Sequence, residues 1–437
     1  MKQAIFFSLV LILSACFFTS CATVQRTTTT DDYRKQIASL EAKLIENPNN
    51  AEALQELGII YFQAGKYSQA SQYLKKASLI GEKDAKTLFY YGMSQEADSN
   101  IQGAFAAYLN YLDFSSRSPY RKLLEARYRA LTKVLIQQQV DSLVQQEQQL
   151  PHPTAANIVA VFPLNYQGND ENYSSLGKGL GELMVNDLGQ VSSLKLVERI
   201  RVDALLDELK FAATNNVDPA IAPRLGKFLS AGRIVSGRYD VSGEKVMHMD
   251  VTSYNIITKQ FPNPSTGSDI LDNLFRIEKE LIFGVIKEMG ITLTKAEQER
   301  IQRIPTKNIQ AFILYSKGLE RETAGDFKAA EVYYKQAVSL DPSFSEAQTK
   351  ADAIESLSFA GGSMASTLAA AYTIDPPISR DQGTSARDLI IMRLQNLGKD
   401  IGANVRHGLE SRKPPEEAAR TGAAVGDLPR PPKPPNR

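Results

Sequence analysis

Asn50-Ala51-Glu52-Ala53-Leu54-Gln55-Glu56-Leu57-Gly58-Ile59-Ile60-Tyr61, followed by Ala64-Gly65-Lys66-Tyr67-Ser68-Gln69-Ala70-Ser71-Gln72-Tyr73-Leu74-Lys75-Lys76-Ala77, is the stretch that decides the fold. Its apolar residues recur at helical spacing on either side of Ala64-Gly65, so it reads as two helices joined by a tight turn. Moving 34 residues along brings Leu88, Tyr91, Gly92, Ala104 and Tyr108 to the corresponding places. A third copy stands much later, in Ala311, Leu314, Gly318, Gly325-Asp326-Phe327, Ala330, Tyr334, Ala337 and Pro342. A fixed offset of about this size is the mark of a stacked-repeat architecture.

The pattern resembles the tetratricopeptide repeat, with Leu57, Gly58, Tyr61, Ala70, Leu74 and Ala77 on the family's positions. Gly58 and Ala70 are small because two antiparallel helices cross there, and Tyr61 and Leu74 fill the space between hairpins. The second copy departs at Tyr111, where Ala is usual, and at Ser99, where the turn Gly is missing, so its outer helix is expected to splay. The third carries Lys317 in place of Leu. Two repeats bury little surface alone, so helices over 33–45 and 119–149 are expected to cap them within a helical domain at 33–150. A third hairpin is expected at 308–355. The resemblance implies a concave protein-binding surface, with Tyr61, Tyr91 and Tyr108 as partner-binding residues.

Between the repeats the periodicity changes. Asn157-Ile158-Val159-Ala160-Val161-Phe162-Pro163-Leu164 is a continuous apolar run, as for a strand covered on both faces. A helix over 176–191, a strand over 194–198, helices over 201–212 and 219–230, a hairpin from strands 233–242 and 245–254, and a closing helix over 269–290 follow. In order and spacing, Val161-Phe162-Pro163-Leu164, Leu176-Gly177-Lys178-Gly179-Leu180 with Asp187-Leu188, Leu196-Val197-Glu198-Arg199, Arg224-Leu225-Gly226 and Ile234-Val235-Ser236-Gly237 resemble the curli assembly/transport lipoprotein (CsgG-like) family and related periplasmic lipoproteins that activate penicillin-binding proteins. The expected domain spans 155–304. The fold class is therefore α+β: helical tetratricopeptide hairpins flanking a CsgG-like α/β sandwich domain. The curli channels line their pore with two further hairpins per subunit. No segment here is long enough to supply them, so pore activity is not carried over.

Upstream of the repeats, Lys2 and an apolar run lead to Leu13-Ser14-Ala15-Cys16 and Phe18-Thr19-Ser20-Cys21, the chain's two cysteines. The run is too short for a comfortable bilayer span and reads as a signal peptide over 1–20. Leu-Ser-Ala-Cys resembles the bacterial lipobox. The lipidation candidates are Cys16, which has the better flanking residue, and Cys21, which gives the commoner length, with a polar tether over 22–32. No cysteine follows, so an internal disulfide in the body is excluded.

Fifty basic and 49 acidic residues leave a net charge of +1, which gives no field to draw nucleic acid. His152, His248 and His407 lie far apart, so neither a zinc site nor a His-centred triad is legible. Gly177-Lys178-Gly179 lacks the P-loop spacing and reads as glycines for close helix–sheet packing. Glu198-Arg199, Glu278 and Glu280 read as a salt-bridged surface. No cofactor and no enzymatic activity are expected.

Small residues and Gly361-Gly362 dominate the start of 356–410, which ends in an amphipathic helix over 386–409. The tail, 411–437, holds seven of the chain's 20 prolines and is expected to be disordered. The expected whole is a lipid-anchored protein on the periplasmic face of the outer membrane, a non-enzymatic scaffold or adaptor for envelope proteins in export or cell-wall synthesis. The alternative is a subunit of an oligomeric curli-type secretion channel, for which a homo-oligomer would be the partner.

Overall fold

A computed structural model describes residues 21–376 apart from 81, 210–216, 218 and 219; for 21–33 only the backbone course is described. The tail over 411–437, the helix expected over 386–409 and the signal segment lie outside the described residues. The chain divides into two compact units: residues up to Tyr128 together with those from Gly362, and residues Arg129–Gly361.

The first unit opens with α1 (Cys21–Glu46), which includes the run expected to be a tether. Two helical hairpins follow, α2 (Ala51–Gln63) with α3 (Tyr67–Leu79) and α4 (Ala85–Ala97) with α5 (Ile101–Leu109). Asn50, Asp84 and Asn100 cap α2, α4 and α5 by accepting backbone N–H groups in the first turn. Small residues set the crossings: a Cβ on Gly58 would stand 2.5 Å from Leu74 Cγ, and one on Gly92 would overlap the Tyr108 ring. The hairpin turns need positive φ, met by Gly65 at 76° and by Ser99 at 63°. The outer helix of the second hairpin is shorter than that of the first. Helix α5 stops early, tightens into a 3-10 turn at Asn110–Asp113, and buries Tyr111 with its ring centroid 5.5 Å from that of Tyr128. Helix α6 (Pro119–Gln145) starts in this unit and ends in the second.

In the second unit the mixed sheet contains β1 (Ile158–Val161), β2 (Asn165–Tyr166), β3 (Lys195–Leu196), β4 (Arg233–Ser242), β5 (Val246–Asn255) and β6 (Ser265–Ile270). The order is β3-β1-β4-β5-β6: β1 runs parallel to β3 and β4, β4–β5–β6 are antiparallel, and β2 pairs with β4. The expected hairpin is present, Arg233 facing Asn255 and Ser242 facing Val246. Helices α7 (Leu176–Leu188), α8 (Arg199–Glu208), α9 (Ala222–Leu229), α10 (Leu274–Glu288) and α11 (Lys295–Ile301) accompany the sheet. The closing helix starts later than expected because Ser265–Ile270 is an edge strand. Gly267 on that strand leaves room for Ile277 of α10, which a Cβ would overlap.

The third repeat, α12 (Ile309–Thr323) and α13 (Phe327–Leu340), packs on α7 and on α14 (Ser345–Ala360). The span expected to be a small-residue linker is largely helical. Helix α14 runs to Ala360, Gly361 breaks it at φ 71°, and α15 (Met364–Ile374) begins behind a Ser363–Ser366 capping box. Although α15 follows the second unit in sequence, it belongs to the first.

Candidate protein-binding surface

Three tyrosines were expected on the repeat surface, and the structure separates them. Tyr61 is buried, stacked on Tyr73 with centroids 5.4 Å apart, and Lys66 Nζ lies 5.6 Å from its ring centre. Tyr108 has no solvent exposure at all. Its ring fills the space over Gly92 and its Oη donates to Glu96 Oε2 at 2.9 Å, so it is a core residue and cannot meet a partner directly. The signal was in the sequence, since the repeat offset equates Tyr108 with Leu74, a residue already assigned to packing. Only Tyr91 keeps appreciable contact with solvent; partial burial pushes its hydroxyl pKa up.

Around Tyr108 lies a buried polar centre. Arg127 of α6, 3% exposed, donates to both oxygens of Glu96, with Nε 3.2 Å from Oε2. Its Nη1 donates to the carbonyl of Gly362 at 2.9 Å. Nearby, Tyr120 Oη donates to Asp375 Oδ2 at 2.7 Å, and Lys86 Nζ lies 2.9 Å from the same oxygen. Tyr90 is buried among Phe62, Phe89 and Tyr120. These groups form a face on α4 and α6 with an aromatic centre, a cation at each end, and bonds to the segment Gly362–Asp375.

In the second unit the glycines of α7 are used for packing. Gly177 lies against the Leu164 carbonyl and Gly179 against Ser316 and Phe312 of α12; added Cβ atoms would overlap Leu164 O and Ser316 Oγ. The Gly177 N–H is already bound to Tyr239 Oη at 2.8 Å, and Tyr239 in turn donates to the Tyr173 carbonyl at 2.7 Å. Lys178 lies amid Asp203, Asp207 and Glu320, with burial lowering its pKa. This helix start serves internal packing, which leaves little free for a phosphate.

Arg199 joins three helices, with Nη1 3.2 Å from Glu182 Oε2, Nε 3.2 Å from Asp203 Oδ2, and Nη2 donating to Thr323 Oγ1 at 3.2 Å. Glu278, expected at the surface, is fully buried instead. It lies beside Lys279, which pairs with Asp187 of α7. Burial and then the Asp187 charge push the Glu278 carboxyl well above the usual range. The run Glu278-Lys279-Glu280 looks like a solvated face, and only Asp187, 92 residues from Lys279, shows otherwise.

With this geometry, tetratricopeptide-repeat family models match residues 31–87 and 313–344, and the model of the curli production assembly/transport component CsgG matches residues 138–244. The CsgG match begins within α6 and stops at the β4–β5 turn, short of the expected end at 304. No curated protein matches. Among solved structures, the LpoB C-terminal domain from Salmonella enterica aligns at 14% identity over 30% of this chain and 95% of that one, with a TM-score of 0.23. Tetratricopeptide repeats are protein-interaction modules, and this chain carries them on both sides of a domain matched by the CsgG family.

Proposed function

We propose that this protein is a lipid-anchored scaffold of the bacterial envelope, held on the periplasmic face of the outer membrane, that brings partner proteins together without catalysing a reaction. The observation that supports it is the arrangement itself: protein-interaction repeats on both sides of a domain whose family is named for curli production, assembly and transport. The third repeat packs on α7 through Gly179, so in the second unit repeat and domain share one core. Partner contact falls to the exposed faces of the repeats, with Tyr91 the member of the expected trio that retains access. Cys16 or Cys21 supplies the anchor.

Palmitate labelling of Cys16→Ser and Cys21→Ser variants tests the anchor: one substitution abolishes label, and label retained in both would remove the tether from the proposal. Crosslinking in native membranes tests the scaffold by capturing envelope proteins through the repeats. Purified rings with ion conductance in planar bilayers would replace the scaffold with a secretion channel. Among the described residues no helix is long and apolar enough to cross a membrane, which bears on helical spans alone.

A further inference from the structure

We infer that the α4–α6 face of the first unit is a receptor for a short small-residue helix ending in a carboxylate, and that Gly362–Asp375 is its resident, exchangeable occupant. This rests on the protein-binding reading of the repeats and names the chemistry of what they bind.

The occupant has the form of a ligand. Helix α15 reads Met364-Ala365-Ser366-Thr367-Leu368-Ala369-Ala370-Ala371-Tyr372-Thr373-Ile374, small or apolar on every side, and a helix of that kind needs enclosure. Leu368, Ala371 and Tyr372 are buried, with Tyr372 beside Tyr90. Both ends are held by polar groups of the receptor. Arg127 takes the Gly362 carbonyl before the helix, and Tyr120 and Lys86 take the Asp375 carboxylate after it. Lys86 thus stands at the helix C-terminus, where a cation also meets the negative end of the helix dipole.

The segment is also built to leave. Gly361 at φ 71° and Gly362 separate it from α14, and the division between units falls between those two glycines. Its own capping box, Ser363 with Ser366, completes the helix start without help from the receptor. The Lys86–Asp375 pair keeps 32% and 45% side-chain exposure, so solvent and salt weaken it. A tethered occupant outcompetes a free one by its high local concentration. A partner helix of the same kind therefore binds only as α15 is released.

Hydrogen exchange and binding of a fluorescein-labelled Gly362–Pro376 peptide, both on the full chain, test this. Residues 364–374 are expected to exchange faster than α4 and α6. Asp375→Ala should speed α15 exchange at least tenfold, leave α4 and α6 unchanged, and tighten peptide binding at least tenfold. Lys86→Met should release α15 similarly but give no gain in peptide binding, because the receptor's own cation is gone. Exchange of α15 in step with α4 and α6 in all three proteins would make it a fixed part of the core and overturn the inference. So would equal peptide binding by wild type and Asp375→Ala. Neither readout depends on lipidation or on envelope partners, so failure here is separable from failure of the scaffold proposal.

Discussion

Tyr108 donates its hydroxyl to Glu96 at 2.9 Å, and Tyr334 makes the same bond to Glu322 in the third repeat, each pair spanning 12 residues. The likeness extends further. Gly92 and Gly318 each stand four residues before the glutamate and lie under the tyrosine ring, and a cation from the next helix completes each centre, Arg127 in one and Lys350 in the other. In the first repeat Phe62 occupies the glutamate's place and Leu74 the tyrosine's, so apolar side chains stand where the polar pair does in the other two. In each centre the cation of the following helix adds to the tyrosine in satisfying the glutamate.

Tyr108→Phe is predicted to cost about 1.5–3 kcal/mol, the range for a hydrogen bond to a charged group. Arg127→Met should cost more, about 3–5 kcal/mol, because it leaves the Glu96 charge short of its partner in a closed site. Urea unfolding checks both, and equal losses would show that Arg127 contributes no more than one hydrogen bond.

Ser99 holds φ 63° where the first and third repeats have Gly65 and Gly325. A left-handed conformation strains a residue with a Cβ by about 1–2 kcal/mol, partly offset in a glycine by greater freedom when unfolded. Ser99→Gly is therefore predicted to stabilise the second hairpin by about 0.5–1 kcal/mol. A melting temperature that falls instead would mean the serine side chain contributes more than the strain costs.

What the sequence revealed follows from how local each constraint is. The pairs Gly58–Leu74, Gly92–Tyr108 and Gly318–Tyr334 are each separated by 16 residues inside one hairpin, so a small residue facing a large one leaves a repeating trace. Strand β6 leaves none: Ser265-Thr266-Gly267-Ser268-Asp269-Ile270 has little strand propensity and forms because β5 offers it an edge. Helix α15 has no polar face to give it a period. The surface role expected of Tyr108 failed because an aromatic at a repeat position fits a groove or a core equally well, and only the space over Gly92 decides.

Glu297 and Glu322 should make the second unit sensitive to acid. Glu297 accepts from the N–H and hydroxyl groups of both Ser192 and Thr294, all at 2.8 Å, which holds its pKa down to about 2. Burial alone would raise the Glu322 carboxyl, but Lys350, Arg199 and the Tyr334 hydroxyl outweigh it and bring it to about 2. Acids depressed in the folded state contribute stability that is present above their ordinary pKa of 4.5 and is lost as pH falls toward 2. Stability is predicted to decline through that window, and Glu322→Gln and Glu297→Gln should each flatten the decline. A pH profile unchanged by both substitutions would contradict the assignment.

Glu278 should act in the opposite sense. Its folded pKa is raised, so the folded state binds the proton more tightly than the unfolded chain, and stability falls as pH rises above 4.5 toward the folded value. Glu278→Gln removes the cost of a buried acid, so it is predicted to stabilise the protein at neutral pH and to reduce the loss on going alkaline. Asp187→Asn strips Lys279 of its close partner and should destabilise, with partial rescue when Glu278 ionises to take over the pairing. That rescue would appear as a smaller penalty at high pH than at low pH. A penalty independent of pH would show that the two carboxyls do not share the lysine.

Packing and phosphate binding at the start of α7 respond differently to substitution. If Gly177 and Gly179 serve close approach, then Gly177→Ala pushes a Cβ into the Leu164 carbonyl and Gly179→Val drives α12 away at Ser316, each costing about 1–3 kcal/mol by overpacking. Gly177→Ala meets backbone that cannot rotate aside, whereas Gly179 faces a serine hydroxyl that can, so a single methyl should be tolerated better at Gly179. Lys178→Ala, which removes no packing glycine, should leave function intact. The contrasting outcome is stable folding of both glycine variants with function lost only in Lys178→Ala. That would transfer the role of this helix start from holding the third repeat to binding an anion, and Gly177 N–H would then have to leave Tyr239 to reach it.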